Sequence, residues 1–274
     1  MVFKLAGYLA RIGLEGGPSA TLSTLTAVMN GHMRSIPFEN ISVVQGKKIN
    51  MGADDVFDKL VTARRGGYCF EQNNLLSAGL KSLGYTVLPI LCRVRWGKKP
   101  DQETAFTHMC LKVEIEGEWW LADVGFAGTN SMAPVNLSIG DAPQQLPEGV
   151  FRVSSEGLMG GYSFLEMQDR SDACVWRALY SWNDVPALGP DLDAMNWFSC
   201  TFPSSRFTNQ FFCCRIVDDE RRHVLNDVYV RRKMSGEMVE EEKIESKERL
   251  MEIVEDVMLI QLPEDTEGID KFLK

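Results

Sequence analysis

The chain has 274 residues, 45% hydrophobic and 24% charged, a composition that excludes collagen, coiled coil and wholesale disorder and can bury a sizeable core. Its formal net charge is −9, and residues 237–274 alone hold 13 acidic and 5 basic side chains, so the rest of the chain is near neutral. That balance argues against nucleic-acid binding, which needs a basic face for phosphates. No apolar run approaches the roughly 18–20 residues of a membrane helix; the longest, Val87 to Cys92, contains Pro89. With no apolar leader at its start, the chain is expected in the cytoplasm, and its acidic tail reads as a solvated helix face.

The first third reads as helical. Ala20 to Met33 carries Leu22, Leu25, Val28 and Met29 at helical spacing. Ala53 to Ala63 and Phe70 to Leu83 repeat the pattern, with Gly84 placed to end the latter. At Tyr85 the pattern changes. Thr86–Trp96, Phe106–Ile115, Trp119–Val124, Val150–Val153, Tyr162–Gln168 and Ala173–Tyr180 read as short strands, with Gly160-Gly161 in a loop. Such a run predicts an antiparallel sheet or small barrel. A helix over Asp191–Cys200, strands over Gln210–Val217 and His223–Arg231, and an amphipathic helix over Ser246–Leu259 complete the chain.

Seven cysteines form no disulfide framework, lack C-x-x-C spacing and are best read as thiols. With only His32, His108 and His223 beside them, no structural metal site is expected. One cysteine differs in placement. Cys69 follows Gly66-Gly67-Tyr68 and opens the third helix, where free N–H groups and the dipole favour a thiolate. The alternative is an ordinary buried cysteine at a helix start.

A reactive cysteine needs a base, and His108 lies in an alternating strand. If Glu116-Gly117 is a two-residue hairpin loop, Ile115 faces Glu118, Cys110 faces Asp123 and His108 faces Gly125. His108 and Asp123 are then diagonal neighbours on one face, within reach of a carboxylate–imidazole bond. The same register puts Met109, Leu111, Val113, Trp120, Ala122 and Val124 on the other face, a sensible core. The alternative is a polar pair on a solvated face. The chemical reading assigns Cys69 as nucleophile, His108 as base and proton donor, and Asp123 as orienter of the imidazole. His108 follows Cys69 by 39 residues and Asp123 follows by a further 15. The order is papain-like, while the compact spacing suits a transglutaminase-like core better, by analogy.

The segment Arg65-Gly66-Gly67-Tyr68-Cys69-Phe70-Glu71-Gln72-Asn73 has Ile36-Pro37-Phe38-Glu39-Asn40 upstream. Asp123-Val124-Gly125-Phe126 and Pro203-Ser204-Ser205-Arg206-Phe207-Thr208 follow downstream. Together they resemble the arylamine N-acetyltransferase family. The resemblance implies an α+β fold in three parts: a helical bundle over 1–85 carrying Cys69, a central antiparallel β-barrel over 86–190 carrying His108 and Asp123, and a C-terminal α/β lid over 191–274. It implies a ping-pong acetyl transfer from acetyl-CoA, through a Cys69 thioester, to an arylamine, arylhydrazine or N-hydroxyarylamine, without a metal. It further implies that Phe38 and Phe126 line the acceptor cleft and that Ser205, Phe207 and Thr208 lie near coenzyme A. Arg65 is expected to pair with Glu39 or Glu71. An amide synthase, another acyl-CoA donor, a hydrolase and a catalytically silent binding module are the competing readings. The sequence leaves the oligomeric state open.

Overall fold

The computed structural model describes residues 3–129, 131–155 and 161–273; Gly160 of the expected loop lies outside them. Helix α1 (Leu5–Arg11) leads into α2 (Leu22–Ser35), whose Thr21 N-cap hydroxyl accepts the N–H of Thr24 at 3.2 Å. Helix α2 buries Leu25, Val28 and Met29 of the stripe expected at helical spacing, together with His32 and Met33, while Leu22 in its first turn is exposed. Each such apolar side chain contributes roughly 1.5–3 kcal/mol when fully buried. A two-residue strand β1 (Phe38–Glu39), a single turn α3 (Ile41–Val44) and α4 (Ala53–Phe57) follow. Helix α4 runs on into a wider π-helical turn over Asp58–Thr62. Helix α5 (Cys69–Ser82) starts at the cysteine itself and stops before Gly84, whose φ of +94° suits the left-handed residue beyond a helix end.

Eight strands then form one antiparallel sheet. They are β2 (Thr86–Val94), β3 (Phe106–Ile115), β4 (Glu118–Ala122), β5 (Val135–Asn136), β6 (Gln144–Leu146), β7 (Gly149–Ser154), β8 (Ser163–Gln168) and β9 (Trp176–Pro186). Their order is β5-β4-β3-β2-β9-β8-β7-β6. The edge strands β5 and β6 are joined by a side chain. Gln144 accepts the Asn136 N–H at 2.8 Å and donates to the Asn136 carbonyl at 2.9 Å, which makes the sheet nearly a closed barrel. The β3–β4 hairpin has the expected register, Ile115 opposite Glu118, with Glu116 and Gly117 at φ of +54° and +84°, the backbone signature of a type I′ turn. Both faces of this hairpin are buried. Met109, Leu111, Val113 and Ala122 join the helical core, while Cys110 and Leu121 join the barrel interior.

Beyond the barrel come α6 (Gly189–Thr201), α7 (Arg206–Asn209), β10 (Phe212–Val217), β11 (Glu220–Leu225), β12 (Val228–Lys233), β13 (Met238–Lys243) and α8 (Lys247–Glu252), which continues as a π-helical turn over Ile253–Val257. A second sheet runs β1-β10-β11-β12-β13, so β1 carries the N-terminal region into the C-terminal sheet. Two expectations change here. The single strand over His223–Arg231 is a hairpin, reversed at Asn226, which adopts φ of +55°. Part of the acidic tail is an edge strand, because Glu240 on β13 meets Arg231 on β12, and Glu242 meets Arg249 on α8. No helix among the described residues is long and apolar enough to cross a membrane.

Candidate active site

The loop before α5 is shaped by close backbone approach. A Cβ on Gly66 would lie 2.2 Å from the Pro37 carbonyl oxygen, and one on Gly67 would lie 2.7 Å from Glu71 Oε2, so only glycine fits at either position. Glu71 accepts the Tyr68 N–H at 3.1 Å and the Lys59 ammonium at 2.6 Å. Arg65 pairs with Glu39, one of its two expected partners, through Nε at 3.1 Å and Nη2 at 2.8 Å. Gln72 donates to the carbonyls of Pro37 (2.7 Å) and Gly67 (3.1 Å), and its oxygen faces His32 Nε2 at 2.6 Å. That acceptor makes Nε2 the protonated nitrogen, so Nδ1 receives the Tyr8 hydroxyl at 2.9 Å. His32 is thus a buried neutral histidine, its pKa pushed down to about 4, chiefly by burial.

Cys69 begins α5 and is buried. Its sulfur lies 3.6 Å from the Thr107 carbonyl oxygen, and the backbone N–H groups of Phe70 and Met109 also face it. The sulfur therefore sits against the backbone on both sides of His108. His108 Nε2 is 2.7 Å from Asp123 Oδ2, as the hairpin register requires. Asp123 Oδ1 accepts Asn73 Nδ2 at 2.9 Å and the Gly125 N–H at 2.8 Å, and the Tyr180 hydroxyl also faces this carboxylate. Burial works to raise the Asp123 carboxyl, but His108 and these donors outweigh it and hold the group below its ordinary range. Neither His108 nor Asp123 is on a solvated face; both are buried.

The sulfur behaves differently from its expected acid state. Burial first, and then the charge of Asp123, push the Cys69 thiol up, and the N–H groups of Phe70 and Met109 oppose this without offsetting it. No hydrogen bond joins Cys69 to His108 among the described residues; the thiol is directed at Thr107 instead. The sulfur thus faces the backbone on both sides of a histidine whose Nε2 is taken by the Asp123 carboxylate.

The remaining expected residues separate into two groups. Phe126 packs on His108 and Tyr180, with ring centroids 5.1 Å from each. Phe38 lies in the helical core against Phe212 (5.4 Å) and Phe207 (6.1 Å). Phe207 in turn packs edge-on to Tyr68 at 5.3 Å, which places α7 beside the residue before Cys69. The Ser205 hydroxyl donates to the Ser199 carbonyl and accepts the Phe207 N–H, and the Thr208 hydroxyl donates to the Ser205 carbonyl, so both hold the turn around α7. A cleft of about 710 Å³ adjoins this turn, lined by Lys98, Ser204, Ser205 and Arg206. Asn73 and Tyr180 were not expected from the sequence. The one signal for Asn73 is its position four residues after Cys69, on the same helix face.

A family model described as N-acetyltransferase matches residues 21–266. The arylamine N-acetyltransferase of Mycolicibacterium smegmatis is 37% identical over 81% of this chain and 79% of its own length. That of Escherichia coli strain K12 is 33% identical over 86% of this chain and 82% of its own. The solved structure of the Mycobacterium marinum arylamine N-acetyltransferase in complex with CoA superposes with a TM-score of 0.89 at 29% identity, covering 98% of each chain. With a family model matched over residues 21–266 and relatives this similar along most of its length, the chain belongs to the arylamine N-acetyltransferase family.

Proposed function

We propose that the protein transfers an acetyl group from acetyl-CoA to the nitrogen of an arylamine or arylhydrazine, or to an N-hydroxyarylamine, through a thioester on Cys69. The observation that carries this reading is the Cys69 sulfur lying against Thr107 and Met109, on both sides of a histidine bonded to Asp123. With Asp123 on Nε2, Nδ1 of His108 is the nitrogen left to take the thiol proton. The thiol swings from the Thr107 carbonyl to the imidazole, and the proton passes to Nδ1 as the sulfur attacks the acetyl carbonyl. The C–S bond to coenzyme A breaks, and the departing sulfur takes the proton from the imidazolium. An aromatic amine is neutral near pH 7 and attacks the new thioester; His108 removes its proton and returns one to Cys69. The raised thiol fits this sequence, because transfer is coupled to attack and no standing thiolate is required. Backbone N–H groups beside Cys69, those of Phe70 and Met109 among them, are the candidate donors to the oxyanion.

The same reading divides the chain into a helical part over 1–85, a barrel over 86–190 and an α/β lid over 191–274, with a papain- or transglutaminase-like Cys-His-Asp core. Phe126 beside His108, and Phe38 beside Phe207, supply apolar surface for an aromatic acceptor. Phe207, Ser205 and Thr208 border the coenzyme, with Lys98 and Arg206 offering positive charge to its phosphates from the adjoining cleft. Among the described residues no group of three or more His, Cys, Asp or Glu side chains is placed to hold a metal ion.

Incubation with acetyl-CoA followed by intact-mass spectrometry tests the reading. The wild type is expected to gain one acetyl group, Cys69→Ala none, and added aniline to discharge the adduct as acetanilide. Absence of an adduct on the wild type would favour a silent binding module; discharge at the same rate without amine would favour a hydrolase.

A further inference from the structure

We infer that Asn73 is a positioning residue that sets the His108–Asp123 pair in place against the Cys69 sulfur; the inference rests on the acyl-transfer reading above. Asn73 is fully buried and lies one helical turn beyond Cys69, so both side chains leave the same face of α5. Its amide makes three hydrogen bonds. Nδ2 donates to the Met109 carbonyl at 2.7 Å and to Asp123 Oδ1 at 2.9 Å, and Oδ1 accepts the Val124 N–H at 3.1 Å.

The partners reveal what the amide replaces. The last pair in the β3–β4 ladder is Leu111 with Ala122. Continuing that register, the next pair to exchange backbone bonds would be Met109 with Val124. Those two backbones do not bond to each other; the Asn73 amide stands between them, donating to one and accepting from the other. It acts as an inserted peptide group that parts the strands where His108 and Asp123 are carried. The freed edge of β3 is where the Cys69 sulfur rests, on the Thr107 carbonyl and the Met109 N–H. Helix α5 thus meets this edge through two side chains, with the nucleophile on one and the wedge on the other. Gly125 allows the approach: a Cβ there would be 2.7 Å from both the Cys69 Cα and Asn73 Nδ2.

The amide also sets the carboxylate. Asn73 and the Gly125 N–H occupy Oδ1 of Asp123, which leaves Oδ2 for His108 Nε2. A flipped amide would set its NH2 against the Val124 N–H and its oxygen against two acceptors, so the orientation is determined by its partners. Aspartate at this position would have the right shape and the wrong donors. It would keep the acceptor for Val124 but face the Met109 carbonyl and Asp123 with a third oxygen. Asn73 touches no reacting atom; its effect passes through Asp123 and β3.

The test compares Asn73→Asp and Asn73→Ser with Asp123→Asn as the benchmark. Three quantities are read: the pH dependence of iodoacetamide alkylation at Cys69, steady-state transfer from acetyl-CoA to an aniline, and the urea midpoint. In both Asn73 variants the low-pH limb of alkylation is expected to move up further from neutrality, because a displaced His108 no longer takes the thiol proton as the sulfur attacks. The kcat is expected to fall at least about tenfold, the scale of losing a hydrogen bond to a charged group, with KM for acetyl-CoA unchanged. A lower urea midpoint with the alkylation limb and kcat in place, or failure of both variants to fold, would make Asn73 structural and overturn the inference. If Asp123→Asn also leaves the alkylation limb unmoved, the acyl-transfer reading itself fails; if Asp123→Asn moves it and the Asn73 variants do not, only the inference fails.

Discussion

Two arginine–glutamate forks invite comparison. Arg249 addresses both oxygens of Glu242, Nε at 2.8 Å and Nη2 at 2.9 Å, which is the better bidentate geometry. Arg65 addresses a single oxygen of Glu39, whose other oxygen takes the Ile41 N–H at 2.7 Å. Yet the Arg249 and Glu242 side chains are 38% and 27% exposed, against 10% and 0% for Arg65 and Glu39. Fork geometry and consequence therefore run in opposite directions. Water can re-solvate either half of the exposed pair, while the buried pair has given up its hydration on both sides. The buried fork also secures the Gly66-Gly67 loop that leads to Cys69, whereas the exposed one ties an edge strand to α8.

Breaking the buried fork is the largest effect expected. Glu39→Ala leaves the Arg65 guanidinium buried without its carboxylate and the Ile41 N–H without its acceptor. The expected loss is about 3–5 kcal/mol of unfolding free energy by urea titration. Replacing both partners with methionine should recover much of it, since the cost lies in the orphaned charge more than in the lost attraction. A Glu39→Ala loss as small as that of Glu242→Ala would erase the distinction between the forks.

The next effect tests the same buried region through pH. His32 is neutral in the fold, with a pKa near 4 against about 6.5 in an unfolded chain. As pH falls from about 6.5 toward about 4, the unfolded state takes up a proton that the folded state refuses, so stability is lost, by up to about 3 kcal/mol. Below about 4 the folded form binds the proton too and this loss stops. His32→Gln removes the titration, so wild-type and variant stabilities should converge or cross on going from pH 7 to pH 4. Parallel curves would mean that His32 is not the buried neutral group its bonds to Tyr8 and Gln72 describe.

These regions also differ in how legible they are. The β3–β4 hairpin is readable because one register alone buries Met109, Leu111 and Val113, and that register carries His108 to Asp123. The helix start at Cys69 is readable from two glycines and the apolar spacing that follows. The state of its sulfur is not: a helix N-terminus acts locally to favour the thiolate, while burial depends on the whole fold and acts in the opposite direction. For Asn73 the sequence shows only a place on the helix face of Cys69, because its partners Met109 and Asp123 are 36 and 50 residues away. Strand β13 is silent for a related reason. Met-Val-Glu-Glu-Glu-Lys has little strand propensity of its own, and its cross-strand bonds and ion pairs come from Arg231 and Arg249 outside it.

That last strand supplies the smallest expected effect. Glu242→Ala removes the carboxylate from the well-formed fork, but Arg249 keeps Glu252 at 2.9 Å and an open path to water. Holding two long side chains in one geometry costs entropy that roughly cancels the screened attraction, so the loss should be below about 1 kcal/mol and should shrink further in high salt. Measuring it at low and high ionic strength separates a screened surface pair from a structural anchor. A loss of several kcal/mol that persists in salt would mean that β13 is held to α8 by this fork, and that exposure is the wrong axis on which to rank the two.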